Sequence, residues 1–377
     1  MALTTLRKLF NDLPLEISCT ASTPPRAGSY NIVYELSFSD GIKWAIRIPA
    51  EGDVCKPSRI RSLYLDIVAQ RFISSRTSIP IPQIYYWSPD SSNILSRPFV
   101  IMDFIPGTNL SNLWNDRNWI TDQKREKVFE QIAGWMTELS ALEFDQIGCL
   151  DWDEASGTHQ IVPFPDSSLF LVRLQWQDSE ESDTAAVSAG PFNTAHEYLS
   201  FLLSLRQRIS DSSTLAMLQL FLSALPDSTL DGPPFTLCPP NFDFQNVLVD
   251  DDGIITGIID WDGVRTLPRQ GGAAAYPVWL TVDWDPIFYD WKKPKDNVQY
   301  YAPTELASYR RAYLDAITRA SGGKLTHITR NSHIWTMLHI AVCLPIATPK
   351  IICHLSKFVF GSSVVGYEVA QGIRGST

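Results

Sequence analysis

Leu237-Cys-Pro-Pro-Asn-Phe-Asp-Phe-Gln-Asn-Val-Leu-Val-Asp250, followed by Gly257-Ile-Ile-Asp-Trp-Asp262, is the stretch on which the reading of this chain turns. Val247–Val249 and Ile254–Ile259 are short apolar runs separated by Asp251-Asp252-Gly253, the composition of a hairpin turn. A hairpin brings its two ends together. Asn246, just before the first strand, and Asp260, just after the second, therefore lie side by side. An amide oxygen and a carboxylate, completed by water and phosphate oxygens, suit Mg²⁺, which takes few protein ligands. Either residue alone reads as an ordinary strand end or turn residue; both at the two ends of one hairpin read as a metal pair.

Toward the N-terminus the pattern is that of strands carrying one helix. Tyr30–Phe38 and Lys43–Ile48 are strand-like around a turn at Ser39-Asp40-Gly41. Lys56–Arg76 places Ile60, Leu63, Ile67, Val68 and Phe72 at helical spacing, and Ile79-Pro80-Ile81-Pro82 stops it. Ile84–Trp87 and Phe99–Phe104 are two further strands. Past Ile105-Pro106-Gly107 the period becomes helical, with helices expected over Lys124–Leu142, from the Thr194-x-x-Glu197 capping box to about Ile209, over Ser213–Leu225, and over Thr304–Ile317. The segment 151–192, rich in Ser, Asp and Gly, reads as an irregular insertion, and Ile334–Ala347 as a buried helix too short to span a bilayer. The expected organisation is α+β and bilobal: a small antiparallel sheet with one helix over residues 1–104, then a larger, mainly helical lobe over 105–377.

Composition narrows the function classes. With 31 Lys+Arg against 41 Asp+Glu the net charge is −10, which argues against a nucleic-acid partner bound through a basic face. The six cysteines are scattered without a CxxC pair, so neither a zinc site nor a disulfide framework is expected. No targeting segment or membrane partner is read from the sequence, and a cytoplasmic protein acting on a small molecule is the expectation. His333 and His339, in an apolar helical run, read as structural, and Cys238 as a small buried hydrophobe.

These motifs resemble the aminoglycoside phosphotransferase and choline-kinase-like family, which has a protein-kinase-like fold. Ile259-Asp260-Trp261-Asp262 matches the family's I-D-[WF]-[ED] element, and Pro239–Asn246 with Asp283-Trp284-Asp285-Pro286 is similar to the branch common in filamentous fungi. The resemblance covers roughly residues 25–320. It implies ATP and Mg²⁺ as cofactors, with Asn246 and Asp260 on the metal. Gly28-Ser29-Tyr30-Asn31-Ile-Val-Tyr34 resembles the loop that covers the nucleotide. Arg47 of Trp44-Ala-Ile-Arg47 stands where the phosphate-pairing Lys of kinases is found, with Asp66 as its helix partner. Met102-Asp103-Phe104 resembles the hinge strand whose backbone holds adenine. The resemblance places the acceptor near Asp283, Trp284 and Asp285, with Asp262 close by.

One position departs from the family. The catalytic base, five residues before the metal-binding Asn, is Asn241 here. An amide cannot take a hydroxyl proton, and a positioned base contributes about 10²–10⁴-fold. Phosphoryl transfer depends mainly on positioning and electrostatics, so the resemblance implies an ATP- and Mg²⁺-dependent transfer to a small-molecule hydroxyl, impaired at the base. Asp243 is the nearest other carboxylate. The alternatives are a pseudokinase-like nucleotide-binding protein, or an enzyme reusing the cleft for secondary-metabolite chemistry with Asp243, Asp260 or Asp262 as acid or base.

Overall fold

The computed structural model of the chain describes residues 19–22, 24–28, 31–50, 57–89, 92–93, 95–165, 189–206, 210–240, 242–285, 289 and 301–361. The N-terminal region is one antiparallel sheet. Its strands are β1 (Cys19–Ala21), β2 (Arg26–Ala27), β3 (Asn31–Phe38), β4 (Lys43–Pro49), β5 (Ile84–Ser88) and β6 (Phe99–Asp103), in the order β1-β3-β4-β6-β5, with β2 also on β3. β1 and β2 share one edge of β3, and Pro24 and Pro25, which have no N–H to give a ladder, fall in the gap between them. Strand alternation sorts the faces: Ile46 joins Leu36, Phe99 and Ile101 on one side, while Ala45 packs with Ile67 of helix α1 (Pro57–Arg76) on the other. Arg47 alternates with Ile46 and so shares the helix side with Ala45.

The C-terminal region combines short strands with helices. β7 (Thr108–Asn109) pairs β12 (Val247–Val249), which pairs β13 (Ile255–Ile258); β8 (Glu143–Phe144), β11 (Phe235–Cys238) and β14 (Arg265–Leu267) form a second small sheet. The helices are α2 (Leu110–Leu113), α3 (Asp122–Ser140), α4 (Ala195–Ser204), α5 (Ser212–Ala224), α6 (Pro303–Ala320), α7 (Thr326–Cys343) and α8 (Thr348–Phe360). α3 starts two residues before its apolar pattern because Thr121 caps it, its hydroxyl accepting from Lys124 N–H at 3.1 Å. Thr194 caps α4 in the same way at 3.0 Å, and α4 is described to Ser204. α7 begins earlier than expected and stops at Cys343, two residues short of Pro345; α8 then follows, an element the sequence reading did not separate.

The expectation of an irregular insertion over 151–192 is corrected at its first half. β9 (Cys149–Asp153) and β10 (Thr158–Val162) form a hairpin. The Ser, Asp and Gly content there is turn chemistry: Asp153 accepts from Ala155 N–H at 3.0 Å, and Gly157 takes the left-handed φ of 65°. The hairpin braces α1 through an Arg61–Asp151 ion pair at 2.6 Å and the Phe72–His159 ring contact at 4.6 Å. Of the rest of that segment, Phe164 bridges Ala189, and 166–188 lies outside the described residues.

Candidate active site

The site is built on the β12–β13 hairpin. Val247 pairs Ile258, and one step further out Ile259 N–H donates to Asn246 C=O at 2.9 Å. The two ends therefore meet at Asn246 and Asp260, as the turn sequence requires. Asn246 is buried and closes a one-turn helix, Phe244–Asn246, whose cap is Asp243. The Asp243 carboxylate accepts from Phe244 N–H at 2.8 Å, and burial pushes its carboxyl above the ordinary range. Asp243 is thus committed to holding the turn that presents Asn246.

Trp261 anchors the other end. It is 2% exposed and its indole N–H donates to Ile258 C=O at 2.8 Å. The chain can sink this ring and still keep both neighbours outward because Asp260 takes a left-handed φ of 64°, a region that Asp tolerates better than most residues. Asp260 keeps solvent contact and Asp262 is half-buried.

Arg47 reaches this loop from β4. Its Nη1 donates to Asp262 Oδ1 at 2.7 Å, with Arg47 only 9% exposed. Asp66 of α1, expected to be the partner of Arg47, instead accepts from Gly263 N–H at 2.8 Å. Arg47 still feels all three carboxylates: burial works against its charge, but Asp262, Asp260 and Asp66 outweigh that and keep it protonated. Burial, and then the neighbouring Asp262, raise the Asp66 carboxyl well above its ordinary value, opposed by Gly263 N–H, Arg47 and Arg265. Asp260 is raised by the same two causes, with Arg47 opposing. Three carboxylates facing one direct guanidinium make the cluster acid-rich, and a cation bound there would relieve the repulsion.

That observation tests the expected metal. Among the described residues no group of three or more His, Cys, Asp or Glu could hold an ion by itself. An amide oxygen and a carboxylate in an acid-rich pocket fit a hard, oxygen-loving ion that keeps waters and phosphate oxygens in its shell, which is the behaviour of Mg²⁺.

The remaining expectations divide. Gly28 N–H donates to Asn31 C=O at 2.8 Å, closing the turn into β3, while Ser29, Tyr30 and Asn241 lie outside the described residues. Met102 and Asp103 sit in β6, an inner strand flanked by β4 and β5, so their backbone serves the sheet; Asp103 N–H donates to Gln83 C=O at 3.0 Å. The Asp103 carboxylate accepts from Gln83 N–H at 2.9 Å and from Tyr85 hydroxyl at 2.5 Å. The face of the Phe104 ring meets Arg26 and Lys43. Any backbone reading of a base there shifts to the residues after Phe104. These are fixed against the hairpin: Thr256 hydroxyl donates to Pro106 C=O at 2.6 Å, and a Cβ on Gly107 would fall 2.6 Å from the same hydroxyl oxygen.

The second acidic-aromatic segment is corrected. Asp283 forms a two-point ion pair with Arg310, at 2.5 and 2.9 Å, and the Trp284 ring packs on His333, His354 and Phe358. Asp285 N–H closes the short turn to Val282 C=O at 2.9 Å. The side chains of Asp283 and Trp284 are spent on packing within the helical region, because Arg310 and His333 approach from α6 and α7, which sequence spacing does not reveal. The Arg47–Asp262 pair, with Asp66 on the Gly263 backbone, was also missed. Its only sequence signal was the pair of carboxylates flanking a core tryptophan.

The chain is similar to several known proteins. Two curated relatives, both called altered inheritance of mitochondria protein 9, come from Meyerozyma guilliermondii (27% identical over 147 residues) and Clavispora lusitaniae (24% over 157 residues). The matches cover 38% and 40% of this chain but only 23% and 25% of the relatives, so the chain spans about a quarter of their length. Both names carry the word mitochondrial, which overturns the cytoplasmic expectation. Among solved structures, macrolide 2′-phosphotransferase MphH from Brachybacterium faecium aligns over 98% of this chain and 96% of its own, at 12% identity and a TM-score of 0.49. A thermostable mutant of aminoglycoside phosphotransferase APH(4)-Ia, in a ternary complex with AMP-PNP and hygromycin B, aligns over 90% of each chain at 16% identity and a TM-score of 0.47. The model of the APH phosphotransferase enzyme family matches residues 23–269, a span that takes in β2 to β6 of the sheet, α1, Arg47 and the whole Asn246–Asp262 hairpin, and this chain belongs to that family.

Proposed function

We propose that the chain binds ATP between the N-terminal sheet and the Asn246–Asp262 hairpin and transfers a phosphoryl group to a hydroxyl of a small molecule. The observation that carries the reading is the 2.7 Å contact of Arg47 with Asp262, which brings the β4 cation onto the loop that bears Asp260. Arg47 grips phosphate oxygens, exchanging its hold on Asp262 for the nucleotide. Asn246 and Asp260 hold Mg²⁺, which when bound supplies charge neutralisation at those oxygens. Asp66 holds the Gly263 N–H and so fixes the loop behind Asp262. The backbone after Phe104, pinned by Thr256, faces the base. The name of the curated relatives supports a mitochondrial setting.

Thermal melting with ATP, Mg²⁺ and both tests this. Ligand at 100 times its dissociation constant stabilises by about 2.7 kcal/mol. The shift is expected only with both present, and is expected to vanish in Arg47→Ala and Asp260→Asn. A protein that melts identically in all four conditions has no nucleotide site.

Asn241 favours a second reading, nucleotide binding without efficient transfer. Asn241→Asp separates the two. If the site lacks only a base, ATP turnover rises on the order of 10²-fold. If turnover stays flat while the melting shift persists, the chain is a nucleotide-binding member of its family.

A further inference from the structure

The last described helix has a face that the site does not use. α8 buries Ile351, Ile352, Leu355 and Ser356 toward the helices it packs against, α7 and α5. Lys350, Cys353, Lys357 and Phe360 recur every three or four residues on the opposite, exposed stripe, with Pro349 beside them. The helix ends on three successive exposed apolar side chains, Phe358 at 53%, Val359 at 41% and Phe360 at 47%, and Ile346 just before it is 73% exposed. Such a run is what a water-facing surface ordinarily avoids.

Charge supplies the second observation. From Ala316 to Gly361 the sequence holds five Lys and Arg and not one Asp or Glu, in a chain whose net charge is −10; Arg319 pairs with Glu130 of α3, and Lys350 and Lys357 lie on α8 itself. On the Trp284 segment Asp283 is neutralised by Arg310 and Asp285 stands beside Trp284, while Trp284 itself packs on Phe358 at 5.1 Å. The patch is therefore apolar at its tips, with Lys350 and Lys357 beside them and no acid on α7 or α8.

We propose that this face, Ile346 with the outer stripe and end of α8, docks on a membrane surface rich in anionic lipid headgroups. The phenylalanines enter the boundary between headgroups and acyl chains. Lys350 and Lys357 lay their stems along the apolar surface and keep their ammonium groups among the headgroup charges. Two lysines on an acid-free helix, beside exposed phenylalanines, fit an extended anionic surface rather than a single charged partner, since the attraction adds residue by residue. Because the inner face of α8 is held by α7 and α5, only side-chain tips can enter. The docking is shallow, reversible and salt-sensitive, which agrees with no described helix being long and apolar enough to cross a membrane.

Sedimentation of the 377-residue chain with vesicles tests the proposal. The probes are phosphatidylcholine alone and phosphatidylcholine with phosphatidylserine at ~7:3, at low and high salt. The chain is expected to sediment with the anionic vesicles only, and to come off as salt rises. Charge reversal, Lys350→Glu with Lys357→Glu, and polar replacement, Phe358→Ser with Phe360→Ser, are each expected to weaken binding on the order of 10-fold. All four positions are exposed, so the melting temperature should hold in the lysine variant and fall only slightly in the phenylalanine variant, which gives up the ring contact of Phe358 with Trp284. Ile42→Ser, at an exposed apolar site on the β3–β4 turn, is the unchanged control. Failure to sediment, equal binding to both vesicle types, or undiminished binding by either double variant overturns the proposal. So does a self-association in solution that the phenylalanine variant abolishes, which would assign the face to contact between copies.

Discussion

Of the three Asp-Trp-Asp triplets in this chain, the two that follow the hairpin motif, Asp260–Asp262 and Asp283–Asp285, carry the same three residues to opposite ends. In Asp260–Asp262 the tryptophan is sunk in the core and the acids are left outside; in Asp283–Asp285 the first acid is sunk and the tryptophan lies partly exposed. Asp262 meets Arg47 through one contact at 2.7 Å and keeps 32% of its side chain in reach of solvent. Asp283 meets Arg310 through two contacts, and only 8% of its side chain is accessible. The first pair can be opened by a competing anion. The second is a closed, two-point fork whose donors and acceptors satisfy each other. A tripeptide does not choose between these roles; the elements that arrive around it do.

The largest expected break in this comparison is Asp283→Ala. Removing one partner of a buried pair leaves the Arg310 charge uncompensated and costs about 3–5 kcal/mol. Denaturant melts should show that loss while nucleotide-dependent stabilisation, measured relative to the weakened protein, survives. Loss of that stabilisation in a still-folded Asp283→Ala would return the second triplet to the functional site.

Acid pH sharpens the contrast next. Burial, followed by Arg310 and His354, lowers His333, against which Trp284 packs, to about 4. A depressed histidine contributes stability that is fully present above its unfolded value near 6.5 and is lost as pH falls toward the folded value. The region of the second triplet should therefore weaken between about pH 6.5 and 4, by on the order of 2 kcal/mol at the lower end. His333→Gln should flatten that part of a stability-versus-pH curve; an unchanged slope would assign the acid loss to other groups.

Asp262→Asn is expected to cost less, about 1 kcal/mol or under, since its pair with Arg47 is partly solvated. It should nevertheless change the ligand response more than Asp283→Ala does, because it frees Arg47 and removes a charge beside Asp260. Equal stability losses in Asp262→Asn and Asp283→Ala would erase the distinction drawn between the triplets.

The smallest effect is expected at Asp66, whose carboxyl is raised above its ordinary value near 3.8. A raised acid contributes stability below that value and loses it as pH climbs through the folded one. Asp66→Asn can still accept from Gly263 N–H, so it should track the parent protein in acid and gain on it as pH rises toward neutrality. Melting curves across that window report the sign directly.

Much of the fold was legible because it follows from local rules. The alternation of β3 and β4, the cap at Thr194 and the Asp-Asp-Gly turn of the β12–β13 hairpin each act over a few residues, and each lies where those rules put it. The junction of Asn246 with Asp260 was legible for the same reason, since a hairpin leaves its ends no other place to go. The β9–β10 hairpin was not, because Asp151, Asp153, Ser156 and Gly157 fall within it and read as loop chemistry.

Sequence alone determined the antiparallel N-terminal sheet, its helix, and the pairing of the two motif ends, all set by periodicity and turn chemistry within one segment. Tertiary structure alone decided which acid each arginine takes. Arg47 and Asp262 are 215 residues apart, and Arg310 and Asp283 come from separate elements. Such ion pairs form only after strand and helix packing has brought charges from distant segments into one low-dielectric space, where the cost of leaving a charge unpaired selects the partner.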